Sequence, residues 1–156
     1  MVTIEKLFQY EINNRAFAFQ SISVLRDKMA STGQAEFWQA YYDLETFNKP
    51  RYEKMAASYN LVANDFVVGF KVWATNLAFA LFPEKMMAVM TEATVKYVEK
   101  LKQLAQLVKK EDREFFEYVI QQEQAQAEAL IQAEKGEYAQ AAKVLNDFLV
   151  QVKFPD

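Results

Sequence analysis

The sequence predicts an all-α protein, and three observations support this expectation. The 156 residues include only three glycines and three prolines, whereas average usage would give about 19 of the two together. Apolar residues recur at intervals of three and four over long segments, which is the spacing of one helix face. No segment of the sequence has the strict apolar and polar alternation that is typical of a half-buried strand.

Turn-forming residues are sparse, and they divide the chain into six predicted helices. We expect helix A at 3–30, helix B at 34–59, a crossover helix at 65–82, helix C at 84–109, helix D at 111–135 and a short helix E at 137–151. Pro83 is expected in the first turn of helix C, where its missing N–H is tolerated. Gly136 is expected to end helix D as a C-cap.

The lengths of the connections predict how the helices are arranged. The short turns near Gly33 and Lys110 indicate that helices A and B, and helices C and D, form antiparallel pairs. The crossover helix would then join the two pairs of an up-down four-helix bundle, followed by the short C-terminal helix. Because a chain of about 150 residues can bury about two thirds of its unfolded surface in one core, residues 1–156 are expected to form a single domain.

Composition excludes several classes of function. The chain has no cysteine and no histidine, so thiolate and imidazole metal ligands and histidine general bases are excluded. A net charge of −3 provides no basic surface for nucleic acid. The first residues include Glu5 and Lys6 and lack a basic segment followed by an apolar run, so no secretory signal is expected and the cytoplasm is the expected compartment.

The crossover helix is the most apolar segment of the chain. It is too short for the ~20 uninterrupted apolar residues of a membrane span, and it contains polar residues such as Lys71. We expect a buried crossover or a subunit interface, with a role at a membrane surface as the alternative. If the bundle leaves its apolar face uncovered, we expect a homodimer through that face, which carries Phe66, Phe70, Trp73 and Phe79.

Three of the predicted helices direct an acidic side chain toward the core. An advance of about 100° per residue places Glu11, Glu45 and Glu123 on the apolar faces of helices A, B and D. Three further polar residues share or flank these faces, namely Arg15, Asn48 and Gln126. Because an unpartnered buried carboxylate costs several kcal/mol, each acid must be paired with a cation, protonated or bound to a metal.

This pattern resembles the ferritin-like superfamily, and within it the rubrerythrin-type bundles. That fold draws a di-metal site from Glu on helices A and C and from Glu-x-x-His on helices B and D. Here the segments 45–48 (Glu-Thr-Phe-Asn) and 123–126 (Glu-Gln-Ala-Gln) stand at the positions of the two Glu-x-x-His motifs, and Glu11 stands at the position of the helix A acid. The resemblance covers residues 3–135 and implies a ferritin-like bundle.

The sequence departs from that family at the ligand positions. Asn48 and Gln126 replace both histidines, and the helix C acid position falls among Met90 and Thr94. An amide oxygen is a weak neutral ligand, whereas Arg15 offers a guanidinium that can satisfy carboxylates in place of a metal. No cofactor is therefore expected. If Fe or Mn binds, the expected ligands are Glu11, Glu45 and Glu123.

The sharpest expectation is a metal-free polar cluster formed by Glu11, Arg15, Glu45, Asn48, Glu123 and Gln126. Tyr41 and Tyr52 are candidates to line a ligand cavity nearby, and Pro50 is expected to kink or break helix B. The favoured function is a non-enzymatic ferritin-like protein that has lost its di-iron site and binds a small ligand or a protein partner. The alternatives are a carboxylate-bridged di-metal oxidoreductase of the oxidase or peroxidase type and a plain helical scaffolding protein.

Overall fold

The computed structural model describes residues 4–153, and within this range the chain contains helices and no strand. The helices are α1 (Ile4–Met29), α2 (Ala35–Ser58), α3 (Asp65–Leu81), α4 (Pro83–Leu107), α5 (Arg113–Glu134) and α6 (Tyr138–Lys153), with a short 3₁₀ helix at Lys110–Asp112 before α5. The all-α prediction is confirmed. Each predicted helix overlaps an observed one, and the ends within residues 4–153 differ by a few residues; the predicted start of helix A at residue 3 lies outside the described residues.

The ends of the helices follow from local backbone chemistry. Gly136 has a φ of +83° and donates a hydrogen bond to the carbonyl of Ala133, while Glu137 N–H bonds to the carbonyl of Gln132. This pair of bonds is the Schellman motif, so the predicted C-cap at Gly136 is confirmed. The chain leaves α2 in the same way, with Asn60 at a φ of 55°. Asparagine is among the few side chains that tolerate this left-handed conformation.

The start of α3 and the start of α4 are both set by single residues. The Asn64 side chain accepts a hydrogen bond from Val67 N–H at 3.1 Å and so caps α3. Pro83 is the first residue of α4, as the sequence predicts.

None of the helices within residues 4–153 is long and apolar enough to cross a membrane.

The chain divides into two compact units, Met1–Phe82 and Pro83–Asp156. In the described residues, the first unit contains α1, α2 and α3, and the second contains α4, α5 and α6. The single domain expected over residues 1–156 stays a prediction.

In the first unit, α1 packs against both α2 and α3. Phe8, near the start of α1, meets Tyr59 at the end of α2 with ring centroids 5.1 Å apart. Farther along, Phe19 meets Tyr42 at 5.6 Å. Because the residue numbers rise along α1 as they fall along α2, the two helices are antiparallel, as predicted.

In the second unit, α5 packs against both α4 and α6. Tyr118, near the start of α5, stacks on Phe148 near the end of α6, with centroids 6.1 Å apart, so these two helices are antiparallel. The buried face of α4 includes Leu101 and Leu104, whereas its acidic side chains at 92 and 99 are exposed. Helix α4 therefore buries its apolar side and exposes these two acidic residues.

One side of α3 is buried and the other is exposed. Phe79 packs edge-on against Trp38, which is fully buried, with ring centroids 6.1 Å apart. Phe66, Phe70 and Trp73 are instead 85%, 63% and 63% exposed. The prediction that Phe79 shares a face with these three residues is wrong, because thirteen residues at about 100° each place it about 220° around the helix from Phe66.

Helix α2 runs without interruption through Pro50. Proline has no N–H, so the carbonyl of Thr46 loses its partner within the helix. Both residues are exposed, and water can therefore satisfy that carbonyl. Of the two expected outcomes, a kink and a break, the break of this helix into two shorter helices does not occur.

Candidate ligand-binding site

A buried ion-pair cluster joins α1 to α2 in the first unit. Arg15 Nε lies 3.2 Å from Oε1 of Glu11, which is one turn earlier on α1. Arg15 Nη1 donates a hydrogen bond of 3.3 Å to Oε1 of Glu45 on α2. Glu11 is fully buried and Glu45 is 3% exposed, while the Arg15 side chain is 11% exposed. One guanidinium therefore bridges two buried carboxylates with charge-assisted contacts.

The α2 side of this cluster contains two further buried residues at helical spacing. Asn48 and Tyr52 follow Glu45 by three and seven positions, so all three lie on the inward face of α2. The guanidinium carbon of Arg15 lies 5.5 Å from the centroid of the Tyr52 ring. Arg15 thus also has an aromatic ring within the range of a cation–π interaction.

A cavity of about 660 Å³ opens beside the cluster, and residues of the first unit form it. Arg15, Glu45 and Tyr52 lie at its buried end, while the Lys49–Glu53 ion pair lies at its exposed rim. Eight of its fifteen lining residues are apolar: Ile12, Ala16, Phe19, Ala56, Ala57, Leu61, Val62 and Ala63. Its volume is within the range of about 300–1,000 Å³ that is typical of small-ligand sites.

The segment between α2 and α3 supplies one wall of the cavity. Asn64 N–H donates to Asn13 Oδ1 at 2.9 Å, and Gln9 Nε2 donates to the carbonyl of Val62 at 2.7 Å. Both bonds attach this segment to α1. They hold Leu61, Val62 and Ala63 in place as lining residues. The sequence does not predict this wall, because residues 61–63 lie between two helices and have no periodic pattern.

The structure brings together three of the predicted site residues and buries a fourth beside them. Glu11, Arg15 and Glu45 are in contact, and Asn48 is buried one turn from Glu45. Of the two tyrosines expected to line a cavity, Tyr52 does so. Tyr41 does not line this cavity. It packs edge-on against Phe37, with ring centroids 5.9 Å apart.

The remaining predicted site residues belong to the second unit. Glu123 and Gln126 are buried on α5, in agreement with their projection onto its apolar face. Gln122, which is not among the predicted site residues, is also fully buried, and its Nε2 donates to Gln126 Oε1 at 3.5 Å. The meeting of all six polar residues in one cluster stays a prediction.

The groups around Arg15 do not fit a di-metal site. A guanidinium already lies within ion-pair distance of both carboxylates, and a metal ion beside them would meet its positive charge at short range. The third buried polar group of the first unit in this region is an amide, Asn48, which is a weak ligand. Over residues 4–153, no group of three or more acidic side chains is arranged to hold a metal ion.

Comparisons of the chain with protein-family models, with curated proteins and with solved structures found no match. The ferritin-like resemblance therefore stays an expectation that depends on the motif positions alone.

Proposed function

We propose that this chain is a non-enzymatic, ferritin-like helical protein whose first unit binds a small, largely apolar ligand in the cavity beside Arg15. The observation that carries this proposal is a cavity of about 660 Å³ with mostly apolar walls and a bridged ion pair at its buried end. Ligand sites typically combine an apolar lining with a few fixed polar groups that orient the ligand. The ferritin-like arrangement of the four long helices is part of the same proposal.

The charges around the cavity favour an uncharged ligand. Arg15 is engaged by Glu11 on one side and by Glu45 on the other, so its single positive charge is more than offset by two carboxylates. At the rim, Lys49 and Glu53 neutralise each other. A ligand anion would therefore lose hydration and meet excess negative charge. A ligand cation would reach the Glu45 carboxylate only beside the Arg15 guanidinium, which repels it. An apolar body with one hydrogen-bonding group, directed toward Arg15 or Tyr52, suits this lining best.

The proposal is tested with a neutral fluorescent probe, N-phenyl-1-naphthylamine, whose emission increases in apolar surroundings. We expect saturable binding of one equivalent to the full chain. Ala16 and Ala56 line the cavity, so the variants Ala16→Phe and Ala56→Leu fill part of it and should weaken binding by about tenfold or more. The proposal would be overturned if both filled variants, each shown to be folded by circular dichroism, bound the probe as tightly as the parent chain does.

Two control variants separate the cavity from other apolar surface. Ala139→Leu adds the same kind of side chain at an exposed position of α6 and should leave the affinity unchanged. Phe66→Ser combined with Phe70→Ser removes exposed rings of α3 and should also leave it unchanged. Loss of probe binding in the α3 variant would instead favour a protein-binding scaffold. Elemental analysis finding two equivalents of Fe or Mn would favour the di-metal oxidoreductase.

A further inference from the structure

The exposed side of α3 forms a continuous apolar surface, which we call the α3 face. Its large side chains are Phe66, Phe70, Trp73, Leu77 and Leu81, all of them exposed, and Gly69 and Ala80 lie between them. At helical spacing these seven residues fall within an arc of about 120°. None of them carries a charge.

The rest of α3 is engaged with its own unit. Val68 and Phe79 are buried on the opposite side of the helix. The helix has two charged residues, Asp65 in its first turn and Lys71, whose Nζ lies 5.7 Å from the centroid of the Tyr10 ring of α1. The inner side of α3 thus contacts the first unit, and the α3 face is the side that remains accessible.

We propose that the α3 face binds the α3 face of a second copy of this chain in an antiparallel, two-fold symmetric dimer. A two-fold interface requires a surface that is complementary to itself. In an antiparallel pair centred between Trp73 and Ala74, Phe66 lies opposite the partner's Leu81, and Phe70 lies opposite the partner's Leu77. The two Trp73 rings then meet at the axis. Every large side chain of the α3 face therefore finds an apolar counterpart.

The size of the α3 face agrees with a dimer interface. With 46% to 85% of each of the five large side chains exposed, the face offers on the order of 600 Å² of apolar surface. A standard interface buries about 800 Å² on each partner. Val67 is also exposed and projects about 40° beyond the arc, which extends the face toward that area.

The charge distribution favours a second copy over a membrane surface. Helices that lie on membranes typically have a polar face rich in lysine and arginine, which attracts anionic lipids. Lys71 is the single basic residue of α3, and it faces Tyr10 of its own chain. The whole chain carries a net charge of −3, which opposes approach to an anionic bilayer.

The decisive variant is Gly69→Lys. A Cβ built at Gly69 meets no atom within 4 Å, so lysine fits there without disturbing the unit, and it raises helix propensity. In the dimer, however, it places a charge inside the apolar interface, at one edge of the α3 face and about one helical turn from the two-fold axis. Val150→Lys is the matched control, because it makes the same kind of change at an exposed position of α6.

Sedimentation equilibrium of the full chain at micromolar concentration should give twice the 18.1 kDa mass of one chain. Gly69→Lys should weaken the dimer by about 100-fold or more, whereas Val150→Lys should leave it unchanged. A monomeric parent, or a dimer that Gly69→Lys leaves intact, would overturn the proposal. None of the α3 face residues lines the cavity, so this result is independent of the ligand-binding proposal.

Tryptophan emission gives a second readout. In a Trp38→Phe variant, Trp73 is the single tryptophan, and its emission should shift to the red on dilution as the dimer dissociates. Addition of phosphatidylcholine and phosphatidylserine vesicles should not shift it. A blue shift with vesicles, together with a monomeric mass in solution, would overturn the proposal in favour of a membrane-binding surface.

Discussion

At the scale of single residues, Arg15 determines whether the first unit can contain two buried carboxylates. Its guanidinium lies 3.2 Å from Glu11 and 3.3 Å from Glu45. Removing one partner of a buried ion pair costs far more than the pair contributes, because the other charge stays buried without compensation. The stability of the first unit should therefore be highly sensitive to a substitution that removes the Arg15 guanidinium.

We expect Arg15→Met to lower the free energy of unfolding by about 3–5 kcal/mol. Methionine keeps much of the side-chain volume but removes the charge and all five donors. The midpoint of urea denaturation, followed by circular dichroism, measures the loss. Lys143→Met is the control, because it removes one partner of the exposed Lys143–Asp147 pair and should change stability by less than about 1 kcal/mol. Equal midpoints for the two variants would contradict a buried cluster.

At the scale of secondary-structure elements, the left-handed residues end two helices and set the direction of the chain after them. A Cβ built at Gly136 meets no atom within 4 Å, so neighbouring residues do not exclude a side chain there. Glycine is favoured at this position because of its positive φ. Gly69 also has open space, but it lies inside α3 without a positive φ. The two glycines therefore respond to the same substitution with opposite signs.

Gly136→Ala should destabilise the chain by about 1–2 kcal/mol, because alanine disfavours the left-handed region. Gly69→Ala should stabilise it by up to about 1 kcal/mol through higher helix propensity. Thermal or urea denaturation of the two variants beside the parent measures both changes. If Gly136→Ala and Gly69→Ala destabilised the chain by similar amounts, the left-handed backbone conformation of Gly136 would not account for the effect.

The start of α6 predicts a dependence of stability on alkaline pH. Burial, and secondarily the Glu84 carboxylate, raises the pKa of the Tyr138 hydroxyl above its usual 10.0. The folded chain therefore retains this proton after the unfolded chain has released it. The contribution is complete below the unfolded pKa and is lost as the pH rises through the folded one.

Tyr138→Phe should remove this part of the alkaline loss, so that stability falls less steeply than in the parent as the pH rises above about 10. Glu84→Gln should reduce the loss partially, because it removes the carboxylate and leaves the burial. Urea midpoints across this range provide the comparison. Parallel pH profiles for Tyr138→Phe and the parent would contradict the assignment.

At the scale of the whole molecule, the sequence predicts that polar residues of both units share one interior. A double-mutant cycle between Arg15→Met and Glu123→Gln tests this expectation. Residues in one polar network typically show a coupling free energy of about 0.5–3 kcal/mol, whereas distant residues add within about 0.5 kcal/mol. Glu128→Gln, an exposed substitution on α5, replaces Glu123→Gln in the control cycle. Coupling no larger than that of the control would contradict the six-residue cluster.

Much of the fold could be predicted from the sequence, because the residues that start and end helices lie where the apolar periodicity begins and ends. Pro83 and Gly136 lie where a first-turn proline and a C-cap glycine are expected, and both boundaries are observed. The inward direction of Glu11 and Glu45 followed from helical spacing alone, and both are buried. Helical projection also places Phe79 on the side of α3 opposite Phe66, so the prediction that groups Phe79 with Phe66 by apolar character alone assigns it to the wrong face.

The cavity was not predictable in the same way, because it is a volume that packing leaves unfilled. Tyr41 and Tyr52 project onto the same face of α2, and only their level along the helix decides that Tyr52 lines the cavity. The wall at 61–63 depends on two hydrogen bonds to Gln9 and Asn13, more than fifty residues away in sequence. Such long-range partners have no signature in a single sequence.

Pro50 has a mechanical consequence for the cavity. It lies in α2 between Lys49 and Tyr52, two of the lining residues, and it deletes a backbone hydrogen bond there. Because the loop wall is bonded to α1, bending of α2 at Pro50 is the less costly way to widen the cavity and admit a ligand. We expect backbone amides at 51–58 to exchange with deuterium faster than those at 37–45, and ligand binding to slow them. If the backbone amides exchanged at the same rate along all of α2, bending at Pro50 would not be the way in which the ligand enters the cavity.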